Sequence, residues 1–126
     1  MSKIAIVSAA RTPIGNFGGS LRTVPAYDLA ALVLNEAAKR ANLEPAQIDA
    51  VVMGQNYQSG EYVNIARMSL LKAGWPVEKP AFTMDRRCPS GLDAQLHSHR
   101  HAMRTSGDSR QTRVFADFSQ IPRPVS

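Results

Sequence analysis

The stretch TMDRRCPSGLDA, Thr83 to Ala94, holds the single cysteine of the chain, behind two arginines and ahead of Pro-Ser-Gly. A cysteine so placed could act as a nucleophile, because its thiolate is the reactive form. Pro89 suits the first position of a helix, which puts Cys88 at a helix N-terminus. Unpaired amides and about half a positive charge there favour a thiolate, and Arg86 and Arg87 are expected to add to that field. Gly91 would let a bulky acyl substrate come close to the backbone. Against this stands the commoner fate of a lone cysteine, a small apolar residue of the core. The residues themselves leave both open.

Other residue types suggest chemistry less well. HSHRH places His97 and His101 on one helical face, with His99 between them. No H-E-x-x-H and no flanking carboxylate accompanies them, so no metal site is expected. Ile14 to Ser20, IGNFGGS, supplies three glycines but fits neither G-x-G-x-x-G nor the P-loop pattern, and reads as a plain loop. One cysteine excludes an internal disulfide and any multi-cysteine zinc site, which suits a reducing compartment; a cytoplasmic location is expected. The apolar run IAIVSAA is too short for a typical signal core, and nothing approaches the length of a membrane span.

The elements that must position Cys88 can be read from periodicity. Lys3 to Val7, KIAIV, is a short β-branched run ended by Ala-Ala-Arg-Thr-Pro, a strand entering a loop. Ala26 to Ala41 repeats apolar residues at Leu29, Leu32, Val33, Ala37 and Ala41, one face of a helix, with Asp28 near its start and Lys39 and Arg40 near its end. Ile48 to Gly54 reads as a buried strand closed by glycine. Asn64 to Gly74 has an N-cap, apolar residues at Ile65, Met68, Leu70 and Leu71, and a C-terminal glycine, the signature of a second helix. Pro80 to Asp85 is a third strand, and a third helix opens at Cys88-Pro89. Strand and helix alternate three times, which predicts an α/β fold with a largely parallel sheet.

The chain has 126 residues, enough for one domain. Its net charge is +5, which would attract polyanions. That charge is unevenly spread: residues 1 to 94 hold ten Lys+Arg against eight Asp+Glu, whereas residues 95 to 126 hold five Arg, no Lys and two Asp. Only Phe115 and Phe118 are aromatic in the second segment and no groove-binding motif appears, so non-specific attraction to nucleic acid is the most it supports.

Three ordered motifs resemble the amino-terminal part of the thiolases, the family of acetyl-CoA acetyltransferases and 3-ketoacyl-CoA thiolases. IAIVSAARTPIGNFGGSL is similar to the family's opening strand, A-x-R-T-P and glycine loop. DAVVMGQNYQSGEYVNIARMSLLKAGWP resembles its strand, M-G, loop and N-x-A-R-x-A-x-L-x-A-G segment. RRCPSGLDA resembles N-x-x-C-x-S-G-L-x-A. The resemblance implies the N-terminal portion of a thiolase-like βαβαβ fold, incomplete, over residues 1 to 94. It implies that Cys88 carries the acyl thioester, with coenzyme A thioesters as substrates and no further cofactor. An intact family member would be a homo-oligomer, with no specific nucleic acid and no membrane as partner.

Departures from the pattern accompany the match. Pro89 follows the cysteine where the family has a small residue, and Asp85 and Arg86 stand where it often has asparagine and a small or basic residue. After GLDA the family continues with an apolar helix, whereas residues 95 to 126 form a basic tail, either diverged or read from a shifted frame. His97, Arg100, His101 and Arg104 would fall at core spacing in that helix. The family's Gly-His-Pro histidine, C-x-G cysteine and Asn-Glu motif belong to its carboxyl-terminal part, which has no counterpart here. The reading is therefore a thiolase-type acyltransferase by family whose 126 residues alone are truncated and inactive. The alternative is a non-catalytic interaction fragment or a non-specific polyanion-binding protein. Acyl-chain length and direction of reaction are not encoded in these residues.

Overall fold

The computed structural model describes residues 5–58, 60–104 and 113–117. The chain runs α1 (Ala26–Arg40), a single 3₁₀ turn (Pro45–Gln47), β1 (Ala50–Gly54), α2 (Ile65–Lys72), β2 (Ala81–Met84), α3 (Ser90–Arg104) and β3 (Arg113–Asp117). The three strands form one parallel sheet in the order β2-β1-β3. Val51 lies opposite Ala81 on one side and Val114 on the other. The expected α/β architecture is present.

Strand alternation sorts the two faces of the sheet. Val51 and Met53 point into a core built with Leu29, Ala30, Leu34 and Ala38 of α1 and Ile65, Ala66 and Leu70 of α2. Val52 and Gly54 point the other way, toward α3. Phe82, the cross-strand partner of Val52, meets the His97 ring edge-on at 5.0 Å. Helices thus cover both faces, as a parallel sheet requires.

The residues that stop and start the helices do so by hydrogen bonding. Both α1 and α2 end in a residue of left-handed backbone, Asn42 (φ 54°) and Gly74 (φ 76°). In each case the next amide reaches back to the carbonyl five residues earlier, Leu43 to Ala38 and Trp75 to Leu70, so the last helical carbonyls are not left unpaired. The turn after α2 then buries Trp75, whose indole N–H donates to Asn35 Oδ1 at 2.7 Å. Asn64 caps α2 by accepting from the Arg67 amide at 3.1 Å. The same Oδ1 accepts from Thr83 Oγ1 at 2.8 Å, and Asn64 Nδ2 donates to the Ala81 carbonyl at 3.1 Å. One cap therefore fastens α2 to β2. Arg67 adds donations to the carbonyls of Lys79 and Val77 at 3.0 and 2.7 Å.

Several sequence expectations are corrected. Lys3 and Ile4 lie outside the described residues, and Ala5 to Val7 form no strand; Ile6 and Val7 are 67% and 69% exposed. A β-branched run becomes a strand only where a sheet edge offers it partners, and among the described residues neither edge of this sheet receives Ala5 to Val7. The helix faces are rotated. In α1 the buried line is Ala30, Leu34 and Ala38 with Leu29 and Ala31, while Leu32 is 64% exposed and Val33 and Ala37 are only half-buried. In α2 the buried set is Ile65, Ala66, Ser69 and Leu70, with Met68 and Leu71 outward. Both helices are apolar on more than one side, and the small side chains of alanine and serine permit the closest approach. In α3 the buried line is Ser90, Ala94 and Ser98, which leaves Arg100 exposed and His97 half-buried instead of in the core. The side chains of His101 and Arg104 lie outside the described residues. Pro89 stands one residue before α3, and its carbonyl accepts the Asp93 amide at 2.9 Å as the first helical bond. The strand at 113–117 was not foreseen, because the short run RVFAD was read with the basic segment around it.

Candidate active site

β1 and β2 are parallel, so their carboxyl ends lie at one edge of the sheet, and the chain leaves β2 there for a five-residue turn, Asp85 to Pro89, before α3. Ligands of open α/β sheets gather outside such an edge. Cys88 sits in this turn and is exposed. It is not a core residue.

The turn is held by a serine that composition did not single out. Ser90 is fully buried. Its hydroxyl accepts the Arg86 amide at 2.8 Å and donates to the Arg87 carbonyl at 2.7 Å, while its own amide also reaches the Arg87 carbonyl at 3.1 Å. One side chain after the cysteine therefore ties back to the two residues before it. Asp85 adds a further tie, its Oδ1 accepting the Arg87 amide at 3.0 Å. An asparagine carbonyl could accept that bond equally, which explains how aspartate stands at this position without disturbing the turn.

Close packing beneath the turn depends on Gly54, the last residue of β1. A Cβ built there would lie 2.5 Å from the Ser90 carbonyl carbon and 2.6 Å from the Gly91 amide nitrogen. Only a residue without a side chain lets the first turn of α3 rest on the end of β1. The sequence marked this glycine as a strand terminator; its contact with Ser90, 36 positions away, is visible only in the fold.

The two arginines are not simply aimed at the thiol. Arg86 pairs with Asp93 at 3.1 Å, and Arg87 lies 3.8 Å from Asp85 and 4.7 Å from the centroid of the Tyr57 ring. Carboxylates on both sides balance the field that the sequence assigned to them. Of the histidines, His97 packs on Phe82 and His99 is exposed on α3, so neither side chain is a partner built into the turn by the described contacts. Among the described residues no three His, Cys, Asp or Glu side chains converge as metal ligands. No helix is long and apolar enough to cross a membrane, among the same residues.

The chain is similar to known proteins in sequence and in fold. The family model for the thiolase N-terminal domain matches residues 4–108. An acetyl-CoA acetyltransferase of Cupriavidus necator is 47% identical over 96 residues, which cover 76% of this chain and 24% of that protein. A probable acetyl-CoA acyltransferase of Staphylococcus aureus is 36% identical over all 126 residues, 32% of its own length. The crystal structure of the Bacillus anthracis acetyl-CoA acetyltransferase superposes with a TM-score of 0.71 at 41% identity, covering 74% of this chain and 24% of that one. The chain thus spans between a quarter and a third of the length of the curated relatives described here. Matched over most of its residues by sequence and by fold, the chain belongs to the thiolase family.

Proposed function

We propose that Cys88 is the acyl-accepting nucleophile of a thiolase, an acetyl-CoA C-acetyltransferase in the first instance, acting on acyl thioesters of coenzyme A. The observation that carries this reading is an exposed cysteine in the turn that opens α3, at the carboxyl edge of a parallel sheet, in a chain of the thiolase family. The sulfur attacks the thioester carbonyl carbon, the bond from that carbon to the coenzyme A sulfur breaks, and the proton lost by Cys88 ends on the departing thiol. The acyl group then waits as an S-acyl cysteine for a second acceptor, a carbon nucleophile in the forming direction or free coenzyme A in the cleaving one.

The turn presents an exposed cysteine at the start of α3. Its one carboxylate, Asp85, is engaged by the Arg87 amide and guanidinium. General acid–base groups contribute about 10² to 10⁴ in rate and an oxyanion donor about 10² to 10³. The 126 residues hold no Gly-His-Pro and no second cysteine, so this polypeptide alone should not turn over.

Acetyl-CoA incubated with the pure chain should leave an acetyl adduct on the Cys88 peptide, read by mass spectrometry, and none in a Cys88→Ala variant. An adduct spread over lysines, or equal in the variant, would sink the reading. Measurable thiolysis of acetoacetyl-CoA by the chain alone would refute the expected inactivity.

A further inference from the structure

Two non-glycine residues with left-handed backbone meet beside the proposed nucleophile. Arg87, the residue before Cys88, has φ 61°, and Tyr57, three residues beyond the end of β1, has φ 56°. Positive φ is uncommon for side chains of this size, and each persists only where surrounding contacts hold it. Here the two hold each other: the Arg87 guanidinium lies over the Tyr57 ring at 4.7 Å from its centroid. The contact spans two chain segments that leave neighbouring parallel strands, so it bridges the edge of the sheet where Cys88 stands.

We propose that Tyr57 is a positioning residue for Cys88, acting through Arg87. This rests on the reading of Cys88 as the acyl acceptor, and it adds a residue from a separate loop to the turn that Ser90 and Asp85 already tie. Ser90 fixes the Arg87 carbonyl and Asp85 fixes its amide, at 2.7 and 3.0 Å. The side chain is the remaining handle on Arg87, and besides the Tyr57 ring it has Asp85 Oδ2 at 3.8 Å. Tyr57 grips its face by cation–π attraction. With the grip removed, Arg87 relaxes toward right-handed backbone, and the Cys88 that follows it keeps its present orientation only part of the time. Glycine at position 87 would adopt positive φ at no steric cost, so Tyr57 should then be dispensable.

The full chain, labelled with nitrogen-15, tests this by two readouts. A residue with positive φ shows a strong cross-peak between its own amide and α protons, and the alkylation rate of Cys88 by iodoacetamide reports how the thiol is presented. Tyr57→Leu should weaken the cross-peak of residue 87 and slow alkylation about fivefold, the size of one exposed cation–π contact. Tyr57→Phe, which keeps the ring, should stay within about twofold of the parent. In an Arg87→Gly background, Tyr57→Leu should change the alkylation rate no further. A Tyr57→Leu chain with the parental cross-peak and rate would overturn the proposal, as would an equal loss in Tyr57→Phe or an undiminished loss in the Arg87→Gly background. Melting followed by circular dichroism separates these from unfolding. Neither readout uses an acyl thioester, so a chain that shows the predicted pattern yet takes no acetyl group would refute the acyl reading and leave the Tyr57–Arg87 contact standing.

Discussion

At the scale of single residues, the presentation of Cys88 rests on groups with no reactivity of their own. Ser90 closes the turn by bonding the Arg86 amide and the Arg87 carbonyl from a fully buried position. Ser90→Ala removes both bonds and leaves the Arg86 amide without its partner, which should cost about 1–3 kcal/mol of stability in urea unfolding. Gly54→Ala should cost at least as much, about 1–3 kcal/mol or more, because its Cβ would meet backbone rather than a flexible side chain. An alanine variant that unfolds at the parental urea concentration would contradict the close approach of β1 and α3. The place of Cys88 just before α3 was legible from the sequence because the strand, turn and helix around it are contiguous. Tyr57 and Gly54 were not legible as parts of the same site, because their contacts with Arg87 and Ser90 cross 30 and 36 positions of chain.

At the scale of elements, the caps explain why these stretches become helices of these lengths. Asn64 serves three partners at once, the Arg67 amide, the Thr83 hydroxyl and the Ala81 carbonyl. Asn64→Ala should therefore destabilise by about 0.5–2 kcal/mol through the lost cap, and protection of α2 and β2 amides should fall together in hydrogen exchange. A loss confined to the first turn of α2 would mean that the link to β2 carries nothing. The helix ends were readable in advance, since N-caps and left-handed terminators act within a few residues of one another. The buried faces were not. Leu29, Ala30, Leu34 and Ala38 face inward while Leu32 faces out, and a helix with apolar residues on several sides does not declare which side meets the sheet. The opening run was misread for a related reason: β propensity at Ile6 and Val7 is local, whereas strand pairing needs an edge elsewhere.

At the scale of the whole molecule, the chain carries a core and a set of uncovered apolar side chains. Ile14 and Phe17 are 76% and 78% exposed, and Ile6, Val7, Leu92 and Leu96 also stand open. Surfaces of this kind attract a covering partner or further copies. The isolated 126-residue chain should accordingly bind a hydrophobic dye and elute above its 13.7 kDa monomer mass in a concentration-dependent way. A dye-silent monomer at all concentrations would show that these residues are covered in solution. The α/β class, the helices at Ala26–Arg40 and Ile65–Lys72, the strands at Ala50–Gly54 and Ala81–Met84 and the position of Cys88 just before α3 were determined by the sequence itself, because each depends on residues close together in the chain. Tertiary structure alone decided which faces are buried, that Ala5 to Val7 stay outside the sheet, that glycine is required at position 54 and that Tyr57 reaches Arg87. Those depend on the packing of segments far apart in the chain, and packing distance has no signature in a linear pattern.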